Sequence, residues 1–234
     1  MIIIIGNSKG GEGKSTIATN LAAMMVNRGN DVLLVDADPQ RSSYQWAQTR
    51  NYLIDTSKED IKPITAVCLS GAIRPEIEMQ AKKYDYVIID TQGRKCIELV
   101  SASIIADIII MPVTIGIFSA WALDDMDGIL ENCKATGNDV SVLAVVNRAS
   151  TNSRVDDRQE FVDAIAEMKE GGKLTNLSPI VLDATLGHRT IYRTAASYGL
   201  SVEEMPGNSK KERQIKEKAV EEMSNLYSEV FQNG

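Results

Sequence analysis

An α/β fold is predicted, in which a doubly wound, mostly parallel β-sheet carries helices on both faces. Three observations lead there. Seven short β-branched runs recur along the chain, helix-length segments separate most of them, and several runs are nearly continuous in Ile, Val and Leu. Strands that alternate with helices are the pattern of parallel connections, and a strand apolar at every position is one buried on both faces.

The first run, Ile2–Ile5, enters a glycine-rich polar loop, and a helix is expected over Lys14–Arg28, closed by Gly29. A second strand at Val32–Val35 precedes a helix over Arg41–Arg50. The third strand, Ile64–Val67, is followed by a helix over Glu76–Lys83 and a fourth strand at Tyr86–Ile89. The fifth, Ile108–Val113, leads to a helix over Ala120–Ala135, closed by Gly137. The sixth, Val142–Val146, precedes a helix over Val155–Lys169, ended by Gly171 and Gly172, and the seventh is Ile180–Leu182. Two helices close the chain, Arg189–Tyr198 and Ser209–Phe231. In the last, Ile215, Ala219, Met223, Leu226 and Val230 form one apolar stripe beside a face rich in Glu and Lys. That stripe is expected on the sheet, because a membrane-surface helix would carry a more basic polar face.

A chain of 234 residues, 44% hydrophobic, can bury one sizeable core, so a single domain over 1–234 is expected. The net charge of -7 excludes a protein that coats nucleic acid along its whole surface, while a local basic face can still meet phosphates. Cys68, Cys96 and Cys133 are far apart and odd in number, which fits neither a disulfide framework nor a close-spaced zinc site. The opening strand lacks a basic leader, and no run has the length of a membrane span. A soluble, cytoplasmic protein with no stable membrane anchor is expected.

The chemistry begins in Lys9-Gly10-Gly11-Glu12-Gly13-Lys14-Ser15. A strand, a glycine loop and a helix opening at Lys14 let backbone N–H groups and a helix N-terminus face a polyphosphate. Lys14 is expected to reach the β- and γ-phosphates of ATP, Ser15 to ligate Mg²⁺, and Gly10, Gly11 and Gly13 to let the backbone approach the anion, with Thr16 one step along the helix. The general phosphate-loop pattern is broken at its first glycine, where Ser8 stands, and a second lysine, Lys9, appears instead. Glu12, at the variable position, brings a carboxylate near a triphosphate, which is unfavourable unless it points away or meets a cation.

This arrangement, a lysine ahead of the glycines, resembles the deviant Walker A box of the ParA/MinD family of ATPases. The resemblance implies a homodimer that sandwiches ATP, Lys9 of each subunit reaching the other's nucleotide. Asp36-Ala37-Asp38-Pro39-Gln40 matches the family's second box at the carboxyl end of a buried strand, where doubly wound sheets bind ligands. Asp38 is assigned to orienting the attacking water and Asp36 to the surroundings of Mg²⁺. Tyr86–Asp90 has the form of a Walker B strand whose aspartate, Asp90, holds Mg²⁺. The Thr91-Gln92-Gly93 that follows departs from the proline-containing turn of relatives. Val145-Val146-Asn147-Arg148 resembles the segment whose Asn reads the adenine edge, and Met205-Pro206 is either the other side of the base pocket or a helix boundary.

The resemblance extends to Arg189–Val202, which looks like the terminal segment of small partition ATPases. It implies ATP hydrolysis to ADP and phosphate, non-specific DNA binding by the ATP dimer, nucleoid association in that state, and a centromere-binding partner of ParB type. Plasmid or DNA partition is the function so implied. With a strand already at Ile2, no N-terminal helix-turn-helix domain is expected. Candidate DNA contacts are Arg148, Arg154, Arg158, Arg189, Arg193, Lys210, Lys211 and Arg213. The alternatives are a positioning ATPase for conjugative DNA transfer and a MinD-like membrane-associated protein, and the latter's basic amphipathic tail is absent. A ligase of dethiobiotin-synthetase type would lack Lys9, and an iron-protein type would need paired cysteines.

Overall fold

The computed structural model describes residues 1–56, 61–115, 118–150 and 156–233. Seven strands within them form one sheet: β1 Ile2–Ile5, β2 Val32–Ala37, β3 Thr65–Cys68, β4 Tyr86–Thr91, β5 Ile108–Val113, β6 Ser141–Ala149 and β7 Ile180–Gly187. Their order is β3-β2-β4-β1-β5-β6-β7, and every neighbouring pair is parallel. The helices are α1 Lys14–Asn27, α2 Ser42–Thr56, α3 Arg74–Gln80, α4 Ile97–Ser103, α5 Phe118–Ala135, α6 Asp157–Glu170, α7 Thr190–Ser197 and α8 Lys210–Asn233.

Successive side chains of a strand point to opposite faces, so each apolar run feeds two cores. In β1, Ile3 and Ile5 join one cluster with α1, α2, α7 and α8, while Ile2 and Ile4 join a second with α3, α4, α5 and α6. The same division runs through β5, where Ile108 and Ile110 face the first cluster and Ile109, Met111 and Val113 the second. Parallel strands covered this way need no polar alternation. Four residues of the α8 stripe, Ala219, Met223, Leu226 and Val230, lie fully buried in the first cluster, while Ile215 is half-buried and lines a cavity instead.

The predicted helices shift at their ends for local reasons. Helix α3 starts at Arg74, two residues earlier than expected, because Pro75 sits in its first turn, where a missing N–H costs nothing. Helix α6 begins behind Asp156, whose side chain accepts from Gln159 N at 3.0 Å; the expected start at Val155 lies outside the described residues. Helix α4 is not expected from the sequence. It has seven residues and its cap is the Cys96 Sγ, which accepts from Leu99 N at 3.4 Å.

All seven strands point the same way, so their carboxyl ends share one edge. From β1 the chain moves to β2 on one side, and from its neighbour β5 it moves to β6 on the other. A crevice opens at such a reversal, outside the strand ends.

Candidate functional site

The loop after β1 folds around its glycines. Gly11 and Gly13 have φ of +79° and +84°, in the left-handed region that side chains rarely adopt. At Gly13 a Cβ would also lie 2.1 Å from Asn147 Nδ2. Gly13 caps α1 with no side-chain hydrogen bond, so the first N–H groups of α1 remain free to face an anion. Behind the loop, Asn7 Nδ2 donates to the Pro112 carbonyl at 2.7 Å, fixing the loop to the end of β5.

Both lysines are engaged within the loop. Lys14 is buried, and its Nζ donates to the Lys9 carbonyl at 2.7 Å. Burial lowers its pKa, against the pull of Asp90, Glu12 and Asp38, which favour its charge. Lys9 Nζ meets Glu12 Oε1 at 2.6 Å. Glu12 is thus turned inward, 2% exposed, where the sequence left its direction open.

The three aspartates differ in environment. Asp36 accepts Asp38 N at 3.0 Å, Ser43 Oγ at 2.8 Å and Tyr44 N at 2.9 Å. Its carboxylate therefore organises the turn into α2, with one of its roughly four acceptor positions left over. Asp38, half-buried, accepts Gln40 N at 2.8 Å. Asp90 is fully buried, and neither carboxylate oxygen receives a hydrogen bond. Burial pushes its pKa to about 7, opposed by the nearby Ser15 hydroxyl, raised further by the Asp36 charge, and opposed again by Ser43 and Lys14. An orphaned buried carboxylate beside a serine hydroxyl fits a hard divalent cation. Among the described residues no three His, Cys, Asp or Glu side chains converge into a group that could hold a metal ion.

The segment after β4 closes over the loop. Thr91 Oγ1 donates to the Ile5 carbonyl at 3.1 Å, and Gly93 lies so near Gly10 that a Cβ would stand 2.3 Å from the Gly10 Cα. Gln92 is buried; its amide donates to Glu98 Oε2 at 3.3 Å and accepts from Arg94 Nε at 2.8 Å. Glu98 also accepts Gly71 N at 2.8 Å, linking this segment to the connection after β3.

A cavity of about 370 Å³ lies over the loop, lined by Lys14, Ser15, Thr16, Asp38, Thr91 and Gly93 among others. A second, of about 500 Å³, shares Gly13, Thr16 and Arg148 with it and extends past Asn147 to His188 and Arg193. The two form one track, with polyphosphate-binding elements at one end. Asn147 at its middle donates from Nδ2 to the Glu12 carbonyl at 2.6 Å and accepts Arg148 N at 2.8 Å, leaving one N–H and one acceptor position. Arg148 has φ of +54°, a strained conformation for a residue with a side chain.

The structure does not bring Met205 and Pro206 to this track. They line a neighbouring cavity of about 530 Å³ with Leu53 and Tyr198, which meets the track at Thr190, and Met205 is buried in the first core cluster. The far end of the track instead comes from Gly187, His188, Arg189 and Arg193, which sequence reasoning misses because it ends β7 five residues early. Of the basic residues considered for DNA, Arg158 pairs with Asp183 and Arg189 with Glu222, both at 2.6 Å, and Arg154 lies outside the described residues. Arg148, Arg193, Lys210, Lys211 and Arg213 are exposed. No helix among the described residues is long and apolar enough to cross a membrane.

Comparison with known proteins bears on this site. A family model described as the CobQ/CobB/MinD/ParA nucleotide binding domain matches residues 3–189. The chain is 24% identical over 232 residues to the maintenance of carboxysome distribution protein A of Halothiobacillus neapolitanus, covering 98% of this chain and 95% of that protein. It is 29% identical over 145 residues to the sporulation initiation inhibitor protein Soj of Bacillus subtilis, covering 48% and 57%. Among solved structures, a Borrelia burgdorferi plasmid partition protein bound to AMPPNP matches with TM-score 0.65 and 18% identity, over 99% of this chain and 98% of that one. The Pyrococcus furiosus cell division ATPase MinD matches with TM-score 0.63 and 19% identity, over 96% and 98%. These structural likenesses establish the same sheet and helix arrangement.

Proposed function

The chain belongs to the CobQ/CobB/MinD/ParA nucleotide-binding family, and from that premise we propose that it is a ParA-like ATPase that acts as a dimerising switch. It binds ATP with Mg²⁺, closes into a homodimer, binds DNA without sequence preference, and is released by hydrolysis to ADP and phosphate. DNA partition, with a centromere-binding partner of ParB type, is the function so assigned. In this reading residues 1–234 act as one domain, associated with the nucleoid when ATP is bound.

The observation that carries the reading is the Lys9–Ser15 loop with Lys14 under a cavity edged by Asp38. Lys14 exchanges the Lys9 carbonyl for the β- and γ-phosphates, and the Gly10, Gly11 and Gly13 backbone follows the same anion. Ser15 and Asp90, with Asp36 beside them, would hold Mg²⁺, which would neutralise phosphate charge when bound. Asp38, half-buried at the cavity edge, orients the attacking water, a positioning task that dominates phosphoryl transfer. Thr16, Asn147 and Arg148 bound the nucleoside. Lys9 reaches the nucleotide of the second copy. The DNA surface comprises Arg148, Arg193, Lys210, Lys211 and Arg213. Most of the α8 stripe is buried against the sheet, which speaks against membrane positioning through that helix.

The test is binding to unrelated DNA duplexes with ADP, ATP and a non-hydrolysable analogue, across salt concentrations. Binding is expected with ATP and the analogue only, weakening steeply with salt. DNA binding indifferent to nucleotide would remove the partition reading, and ATP binding that survives Lys14→Ala would remove the site itself.

A further inference from the structure

Glu12 is an acid where a phosphate loop has no evident use for one. Its carboxylate is buried, yet it makes one ion pair among the described residues, Oε1 to Lys9 Nζ at 2.6 Å, while Oε2 has no hydrogen-bond partner. Its backbone is held from the other side by Asn147 Nδ2 on the Glu12 carbonyl at 2.6 Å. Lys9 is anchored as firmly. Its carbonyl accepts Lys14 Nζ at 2.7 Å, its N–H donates to Asn7 Oδ1 at 3.3 Å, and Gly93 closes on the Lys9 carbonyl from above. A lysine so held points its ammonium into its own subunit, leaving its side chain 28% exposed.

We propose that Glu12 is a positioning residue that retains Lys9 in its own subunit and thereby sets the threshold at which the ATP-bound dimer forms. The inference rests on the reading that Lys9 crosses to a second copy's nucleotide. For Lys9 to cross, the ion pair must break, and a carboxylate already short of one partner then has neither. Withdrawing Lys9 is costly because the buried Glu12 carboxylate loses its ion-pair partner and keeps only the longer-range attraction of Lys14. Dimer closure must offset that cost, so the resting protein is biased toward the monomer. A neutral residue at position 12 removes the bias and leaves Lys9 free on the loop surface.

The test compares the full-length wild type with Glu12→Gln, Glu12→Asp, Lys9→Ala and the Lys9→Ala/Glu12→Gln double variant. Dimerisation with a non-hydrolysable ATP analogue is followed by sedimentation, and monomer affinity by ADP titration. Glu12→Gln is expected to dimerise at roughly tenfold lower protein concentration, with a smaller change in ADP affinity, and Glu12→Asp to behave like the wild type. In the Lys9→Ala background, Glu12→Gln should no longer shift dimerisation, an interaction that a purely structural role would not produce. A dimer unchanged or weakened in Glu12→Gln, or shifted equally without Lys9, overturns the inference while leaving the ATPase reading intact. A wild type that binds ATP through Lys14 and never dimerises overturns both. If Glu12→Gln does not fold, Glu12→Val gives the same comparison with an apolar side chain in the buried position.

Discussion

Replacing Asp90 by asparagine should stabilise the nucleotide-free, metal-free protein, and only away from acid. Asp90 is 0% exposed with both carboxylate oxygens unbonded, and burial first, then the Asp36 charge, raise its pKa from 3.8 to about 7 against Ser15, Ser43 and Lys14. Between those two values the folded protein keeps a proton that the unfolded chain releases, so stability falls as pH rises through the window. The contribution is complete below about pH 4 and lost above about pH 7. A displacement of roughly three pH units at about 1.4 kcal/mol each gives about 4 kcal/mol, and water entry on ionisation reduces the expected margin to about 2–4 kcal/mol. Asparagine has nearly the same shape and no charge. Urea unfolding in chelator should therefore show Asp90→Asn more stable than wild type by that margin at about pH 8 and nearly equal at about pH 4. An equal margin at both pH values, or a variant less stable at the higher one, would refute the reasoning. The same substitution should also remove the extra stabilisation that Mg²⁺ adds in the presence of ATP.

Three further perturbations separate the scaffold from the site. Arg50 is fully buried and binds Glu204 through two nitrogens at 2.8 and 2.6 Å, the Lys62 carbonyl and the Gly199 carbonyl, so Arg50→Met should cost about 3–5 kcal/mol by urea unfolding. Burial alone would raise the Glu204 pKa, but Arg50 outweighs it and holds it at about 2, down from 4.5. The stability gained is therefore present above about pH 4.5 and lost as pH falls toward 2; circular dichroism should show Arg50→Met unfolding at a higher pH than wild type. Gly93→Ala would put a Cβ 2.3 Å from the Gly10 Cα and 2.5 Å from its nitrogen, both backbone atoms, and the resulting shift of the segment after β4 should lower ATP turnover about 10²-fold, measured as phosphate release. Asn147→Ala leaves the Glu12 carbonyl without its donor and should cost about 1–3 kcal/mol in unfolding, with weaker ADP binding by calorimetry.

The sheet is legible in the sequence because its strands are buried on both faces, and unbroken runs of Ile, Val and Leu suit few positions outside a doubly covered sheet. β7 is legible only to Leu182 because it is an edge strand: Asp183 is exposed, Ala184 buried, Thr185 half-buried and Leu186 buried. The apolar run stops there, but the alternation continues, and that alternation is the available signal. Helix α4 escapes because seven residues capped by a cysteine carry neither the length nor the Ser, Thr, Asp or Asn that marks a helix start. The glycine loop and the placing of its aspartates at strand ends are legible since their geometry is local, set by glycines and strand ends. Met205 and Pro206 are not, because which cavity they line depends on how the 200–206 segment packs into the first core cluster. The Glu12 partner lies three residues away in the sequence, yet only the folded loop shows that the pair points inward.

The site gathers charges that the fold leaves poorly matched. Asp90 has no hydrogen bond, Glu12 has one oxygen paired, Lys14 is buried on a backbone carbonyl, and Arg148 sits in a left-handed conformation. Each is tolerable because the surrounding strands β1, β4, β5 and β6 are anchored in two apolar cores, whose burial does not depend on the loop. Phosphates would satisfy Lys14 and the free N–H groups of α1, and a divalent cation would satisfy Asp90, so binding removes costs that the folded protein otherwise carries. Ligand binding then adds to stability by mass action, about 2.7 kcal/mol at a hundredfold excess over Kd. With the proposed role of Asp90 at the cation, Asp90→Asn should gain stability and lose function together, because a buried carboxylate without hydrogen bonds is costly to the resting fold.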